Sequence, residues 1–155
     1  MKTTTPSVEV LSSSEIELHY RRPLFDSMKH ITCATDIVSL VREFSNENRM
    51  DVKEFFWLLL LTHSNRVLSI VEIGHGTMHC VPVNLREVIQ LALLKNSTVL
   101  AVCHNHPSGT LDFSKSDIDI TTKLKKMCKL FDINLLDHIV ITSENYRSMA
   151  EEGDL

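Results

Sequence analysis

Apolar and polar residues alternate along this chain in blocks whose spacing predicts a mixture of strands and helices. The clearest strand is the continuous apolar run from Phe55 to Thr62, because a strand without alternating polar positions is typical of one that is buried on both faces. Residues 63–66 are polar and predict a turn. Apolar residues resume from Val67 to Ile73, which predicts a return strand and therefore an antiparallel hairpin.

Other segments have helical spacing or form short strand-like runs. Apolar positions and capping residues predict helices over residues 34–44, 84–94 and 114–130. Thr35 is the expected cap of the first helix, and Asn84, with Glu87 as its capping-box partner, is the expected cap of the second. Further strands are predicted over residues 16–20, 78–81, 98–103, 135–141 and 146–149.

The order of these elements determines the expected fold class. An antiparallel start followed by alternating helices and strands predicts an α/β or α+β three-layer sandwich, in which helices flank a mixed sheet. A chain of 155 residues has the size of one domain, and its 43% of hydrophobic residues suffices for an ordinary core. We expect residues 15–155 to form that domain, and residues 1–14, which are rich in Thr and Ser, to be disordered.

Two histidines and a carboxylate lie between the end of the strand over 98–103 and the first turn of the helix over 114–130. His104 and His106 are two positions apart at the end of the strand, so both imidazoles can project from the same face. Asp117 follows in the first turn of the helix. A set of two histidines and one carboxylate leaves a fourth position for water, which is typical of a catalytic zinc site. These residues therefore predict a zinc site.

Each of these residues also has a purely structural interpretation. A short histidine pair is weak evidence alone, and Ser114 and Asp117 have the spacing of a capping box. Capping does not exclude ligation, since a carboxylate in the first helical turn is held rigidly and can face the strand end. Cys103 and Asn105 alternate with the histidines and are expected to face away from the metal, Cys103 as a core residue. The combination within one loop favours the metal site.

A known motif matches this region. The string H-N-H-P-S-G over residues 104–109, followed by Ser114 and Asp117, resembles the JAMM motif of the JAB/MPN metalloprotease family, and more closely that of its bacterial RadC-type branch. The resemblance extends from about residue 16 to the C-terminus and implies a JAB/MPN fold with a cytidine-deaminase-like core. Further segments that resemble the same branch are residues 54–56, 86–88, 136–138 and 152–153.

The resemblance also implies an activity and residue roles: zinc-dependent hydrolysis of a peptide or isopeptide bond by a metal-activated water. The family places its catalytic glutamate just before the strand that matches the first apolar run here, so Glu54 is the expected general base and acid, with Glu72 as the alternative. The family's serine matches Ser114, which would donate a hydrogen bond to the oxyanion. Asp137 and His138 are interpreted as a polar pair at the entry of a strand and are not assigned to the metal.

Composition narrows the other possibilities. The formal net charge of −4 argues against a protein that coats nucleic acid. The four cysteines form no C-x-x-C pair and are expected to be reduced, mostly buried thiols of a cytoplasmic protein. Residues 1–14 lack the apolar segment of a signal peptide, and the longest apolar run, residues 55–61, is too short to cross a bilayer. We therefore expect no membrane association.

Binding to nucleic acid is the main competing function, since RadC-type proteins carry a DNA-repair label. A basic patch on the third predicted helix, together with Arg21 and Arg22, could contact phosphates. The negative net charge of the chain favours the interpretation of this patch as a solvated helix face. In addition, residues 1–30 do not resemble the helix-hairpin-helix segment of longer RadC-type members. The patch consists of Lys123, Lys125, Lys126 and Lys129.

Two further alternatives are less compatible with the sequence. A zinc deaminase needs a P-C-x-x-C segment and a nearby H-x-E, and this chain has neither. A catalytically silent MPN scaffold usually lacks motif residues, whereas all of them are present here. We therefore expect a hydrolase that acts on a peptide or protein substrate, and the sequence leaves its oligomeric state open.

Overall fold

The computed structural model describes residues 19–76 and 82–155. Within these ranges the strands are β1 (Phe55–Leu61), β2 (Val67–His75), β3 (Val99–Asn105), β4 (Asn134–Ile141) and β5 (Tyr146–Ser148). They form a five-stranded sheet in the order β2-β1-β3-β4-β5. The β3–β4 pair is parallel and the other pairs are antiparallel, so the sheet is mixed as predicted.

Helices cover both faces of this sheet. In the described residues they are α1 (Ala34–Phe44), α2 (Leu85–Leu94), α3 (Lys115–Leu130) and α4 (Met149–Glu152), with short 3-10 turns at Phe25–Ser27 and Glu47–Arg49. α1 packs on one face, and α2 and α3 pack on the other. No helix in residues 19–76 or 82–155 has the length and apolar character that crossing a membrane requires.

Two cores, one on each side of the sheet, explain why β1 and β3 are apolar almost throughout. Trp57 and Cys103 pack on the α1 side, whereas Leu58 and Val102, their neighbours along the chain, pack on the α2–α3 side. Because both faces are covered, every residue of β1 and β3 is buried. The three-layer α/β architecture is therefore confirmed, and His104 belongs to the α2–α3 side by strand alternation.

The predicted capping residues agree with the structure at two helices and disagree at one. Asn84 caps α2 by accepting a hydrogen bond from the backbone N–H of Glu87, as predicted. The prediction for α1 was wrong, because Cys33 is the N-cap and Thr35 lies inside the helix. The carboxylate of Asp36 accepts a hydrogen bond from the Cys33 N–H at 3.2 Å. Asp36, three positions after Cys33 in the chain, is thus its capping-box partner.

Some strand boundaries also differ from the predicted ones. β2 continues to His75, which pairs with Phe55, and β3 continues to Asn105, which pairs with Ile141. The last predicted strand ends at Ser148, because the next residue begins α4. The predicted strand over 78–81 and the N-terminal segment 1–14 lie outside the described residues, as do Cys80 and residues 16–18.

Candidate metal centre

β3 carries His104 in the middle of the sheet, and His106 follows directly after the strand. His104 lies opposite Phe56 of β1 and Val140 of β4. The strand ends at the next residue, but the backbone N–H of His106 still donates to the carbonyl of Ile141 at 3.0 Å, so the chain keeps an extended path. Both imidazoles consequently project to the same side, and their Nε2 atoms are 3.0 Å apart.

Asp117 completes a group of three potential ligands. Its Oδ1 lies 3.3 Å from His104 Nε2, and its Oδ2 lies 3.7 Å from His106 Nε2. A tetrahedral zinc ion with bonds of about 2.0–2.1 Å places its ligand atoms about 3.3 Å from one another. Among the described residues, these three side chains are the group whose donor atoms converge closely enough to hold a metal ion. Donor chemistry and spacing both fit zinc.

A capping box at the start of α3 holds the carboxylate in place. Ser114 Oγ accepts a hydrogen bond from the backbone N–H of Asp117 at 3.1 Å, and Asp117 Oδ2 accepts one from the Ser114 N–H at 2.7 Å. Burial alone would raise the pKa of Asp117, but the close approach of the His104 and His106 imidazoles holds it well below the usual range. The carboxylate is therefore ionised, and Ser114 is both the helix cap and an exposed neighbour of the site.

The loop after β3 orients His106. Its Nδ1 lies 3.0 Å from the carbonyl oxygen of Thr110. A carbonyl only accepts, so Nδ1 carries the proton and donates it. The turn that brings this carbonyl back uses Gly109, whose φ of 81° favours glycine and whose N–H donates to the His106 carbonyl at 3.1 Å. The carboxylate of Asp117 raises the pKa of His106, and the Thr110 carbonyl adds to that effect.

The other nitrogen of His104 contacts a third histidine. His104 Nδ1 lies 2.8 Å from His138 Nε2, and His138 Nδ1 lies 2.5 Å from Thr121 Oγ1. The Thr121 hydroxyl donates to the backbone carbonyl of Asp117 at 2.6 Å. Burial holds the pKa of His138 well below its usual range, so this imidazole is neutral.

The interpretation of Asp137 and His138 as a polar pair at the entry of a strand was wrong. Both lie within β4, and they are 4% and 0% exposed. Asp137 accepts hydrogen bonds from the Ser148 hydroxyl at 2.5 Å and the Ala150 N–H at 3.0 Å, which ties β4 to β5 and α4. His138 points to the other side of the sheet. Neither residue belongs to the group of potential ligands.

Glu54 lies close enough to His106 for its charge to act on that imidazole, whereas Glu72 faces the other side of the sheet. β1 and β3 pair Phe56 with His104, so continuing the antiparallel register brings position 54 opposite position 106. Glu54 is 8% exposed, and its charge is among those that raise the pKa of His106, after that of Asp117. Glu72 pairs with Trp57 and therefore faces the α1 side, where Arg49 lies 3.6 Å from its carboxylate.

Asn105 fixes the segment that carries Glu54. Its side chain faces away from the histidines, and its Oδ1 accepts a hydrogen bond from the Phe55 N–H at 2.7 Å. Its amide donates to the carbonyls of Met50 and Lys53 at 2.6 and 2.9 Å. The residue between the two histidines thus holds the loop before β1 against the end of β3.

Comparison with known proteins identifies the family of this chain. A model of the RadC-like JAB domain matches residues 31–154. The chain belongs to the RadC-like JAB domain family. A UPF0758 protein of Flavobacterium johnsoniae is 33% identical over 147 residues, which cover 95% of this chain and 63% of that protein. A UPF0758 protein of Clostridium botulinum strain Loch Maree is 36% identical over 151 residues, which cover 97% of this chain and 65% of that protein.

The chain spans less than two thirds of the length of these curated relatives. The JAB superfamily includes hydrolases, and the histidine–aspartate group is present in this RadC-like domain. Sequence analysis did not find the partners of the imidazole Nδ1 atoms, namely Thr110, His138 and Thr121. The available signal was the polar pair Asp137–His138 inside an otherwise apolar strand, since a polar residue in such a strand needs a specific buried partner.

Proposed function

We propose that this RadC-like JAB domain is a zinc-dependent hydrolase of peptide or isopeptide bonds. The observation that carries the proposal is the convergence of two imidazole Nε2 atoms and one ionised carboxylate at 3.0–3.7 Å. His104, His106 and Asp117 would hold the ion. When bound, zinc supplies a Lewis acid that polarises a carbonyl and lowers the pKa of water to about 7.

Glu54 is the proposed general base and acid. A carboxylate in this position can accept a proton from the attacking water and deliver it to the leaving amine. Two features support Glu54 over Glu72: its place opposite His106 in the extended register, and the location of Glu72 on the other face of the sheet. The bonds that Asn105 makes to the neighbouring backbone would keep the carboxylate at a fixed distance from the substrate.

Ser114 is the proposed oxyanion donor. Its oxygen accepts the capping hydrogen bond from Asp117 N–H, and that bond does not use the hydroxyl proton. The same side chain can therefore cap α3 and donate to a developing oxyanion. Its exposed position at the start of the helix that supplies Asp117 makes it accessible to a substrate.

The test combines metal analysis with proteolysis. Protein purified without chelators should contain about one zinc per chain, and His104→Ala with His106→Ala should remove it. Cleavage of an unbiased peptide library should identify a substrate. Glu54→Gln should keep the metal and abolish turnover, because an amide cannot accept the proton, whereas the matched control Glu72→Gln should remain active. Full zinc occupancy in the double histidine variant, or an inactive Glu72→Gln beside an active Glu54→Gln, would contradict the proposal.

An association with nucleic acid is the second candidate. It is favoured by the exposed lysines on the outward face of α3 and by the RadC name of the family. The net charge of −4 opposes it, because a long-range attraction to phosphates requires a positive field. We therefore propose a peptide or protein as the substrate and rank nucleic acid below it.

A further inference from the structure

We propose that His138, held by Thr121, is a positioning residue that fixes the tautomer of His104 so that its Nε2 faces the metal without a proton. The inference rests on the metal site proposed above and extends it to two residues that the H-x-H and S-x-x-D motif does not contain. It follows from the direction of each hydrogen bond in a chain that begins and ends at residues of the site.

The chain starts at a group that can only accept. The backbone carbonyl of Asp117 lies 2.6 Å from Thr121 Oγ1, so the single proton of the hydroxyl is donated there. The hydroxyl oxygen can then only accept in its second contact, which is with His138 Nδ1 at 2.5 Å. His138 therefore carries a proton on Nδ1.

The surroundings of His138 determine the state of its other nitrogen. The side chain is fully buried, and the rings of Phe56 and Phe113 lie 5.8 Å from its ring centre. An imidazolium in such apolar surroundings is strongly disfavoured, so His138 is neutral and its Nε2 has a lone pair. This nitrogen accepts from His104 Nδ1 at 2.8 Å, which places the proton of His104 on Nδ1 and leaves its Nε2 free of one.

This arrangement gives both histidine ligands the same tautomer, with the proton on Nδ1 and the lone pair on Nε2. The carbonyl of Thr110 holds the Nδ1 proton of His106, and His138 holds that of His104. In the opposite tautomer, a proton on His104 Nε2 would occupy the position where the metal binds. A metal-binding histidine commonly relies on such an outer partner, and loss of that partner typically costs roughly 10- to 100-fold in metal affinity.

Asp117 takes part at both ends of the chain. Its carboxylate faces the two Nε2 atoms, while its own carbonyl accepts from Thr121. The hydrogen bonds thus link a ligand on β3 to a ligand on α3 through β4, and they fix the distance between these elements. His138 contributes no ligand atom to the group. Its role is exerted through His104.

The experiment measures zinc affinity and proton position rather than turnover. His138→Leu removes the acceptor at similar volume and should weaken zinc binding roughly 10- to 100-fold in competition with a chromophoric chelator. His138→Gln offers an amide oxygen to the His104 Nδ1 proton and should recover most of that affinity. In the zinc-loaded wild type, ¹⁵N NMR of the imidazoles should find His104 protonated at Nδ1, with a slowly exchanging proton that His138→Leu loses.

A matched pair on α3 provides the second arm. Thr121 and Thr122 both donate to the carbonyl four residues earlier, at 2.6 and 2.9 Å, but Thr122 is exposed. Thr121→Val should weaken zinc binding by about 10-fold, the lower end of that range, and Thr122→Val should leave it unchanged. If His138→Leu does not fold, this pair decides the question.

The outcomes separate the inference from the proposed function. Wild-type zinc affinity in His138→Leu, equal effects of the two threonine substitutions, or His104 protonated at Nε2 in the loaded protein would each overturn the inference. A wild-type chain that binds zinc but cleaves no peptide contradicts the proposed hydrolase and leaves this test valid. A wild-type chain that binds no zinc refutes the metal site, and the inference with it.

Discussion

Replacing Ser114 by alanine separates the two roles proposed for this residue, because their expected magnitudes differ widely. The substitution removes Oγ and with it the hydrogen bond from Asp117 N–H at 3.1 Å. The reciprocal bond from the Ser114 N–H to Asp117 Oδ2, at 2.7 Å, uses the backbone and survives. Half of the capping box thus remains, so the free energy of unfolding should fall by only about 1 kcal/mol.

The corresponding change in melting temperature is small, whereas the change in rate is large. For a domain of this size, 1 kcal/mol shifts the melting temperature by roughly 2–4 °C. Loss of an oxyanion donor lowers kcat by roughly 10²–10³. Ser114→Ala should therefore be folded, zinc-loaded and nearly inactive. Ser114→Asp should keep the cap but place a negative charge at the oxyanion position, so it should also be folded and inactive.

A cap on another helix provides the matched control. Asn84 Oδ1 accepts from the Glu87 N–H at 3.4 Å at the start of α2. Asn84→Ala should lower the melting temperature by a similar amount and leave kcat unchanged. The assay is steady-state kinetics on a verified substrate, with thermal melting and zinc content measured on the same samples. If Ser114→Ala turns over at the wild-type rate, the serine is only a cap and the reasoning is refuted.

Three further expectations follow from the same contacts. Because the pKa of His106 is raised, a proton competes with zinc for this ligand up to a higher pH. Zinc affinity should therefore fall as the pH drops from about 8 to about 5. An affinity that does not depend on pH would contradict this expectation. Asn105→Ala leaves the buried Phe55 N–H and Met50 carbonyl without this partner, so it should cost at least about 2 kcal/mol, or roughly 4–8 °C in thermal melting; an unchanged melting temperature would show that water replaces the amide. DNA should bind no more tightly than about 1 μM in fluorescence anisotropy at physiological salt, and tight binding that is lost when the four α3 lysines become alanine would favour the nucleic-acid function.

The elements that sequence analysis predicted correctly are those whose pattern has a single physical cause. Every residue of β1 is buried, so its position could be predicted from the apolar run alone. Asn84 and Ser114 cap their helices because their side-chain oxygens satisfy an unpaired backbone N–H. The cap of α1 could not be chosen in this way. Thr35 is the stronger capping residue by type, but the carboxylate of Asp36 accepts a hydrogen bond from the Cys33 N–H. Cys33 is therefore the N-cap, and the helix begins at the next residue, Ala34.

The group of three potential ligands could be proposed from local spacing, since two of its members are two residues apart on a strand and the third is in the next helical turn. The partner of His104 Nδ1 could not, because it lies on another strand and its orientation depends on a β-bulge. The parallel pairing of β3 and β4 shifts register between Leu100 and Ala101, whose partners are Leu135 and Asp137. Leu135 packs on the α2–α3 side, and simple alternation from it would put residue 137 on the side of His104. The bulge adds one residue, and His138 takes that place instead. A single extra residue in β4 therefore determines that a neutral imidazole, and not a carboxylate, accepts the proton of His104.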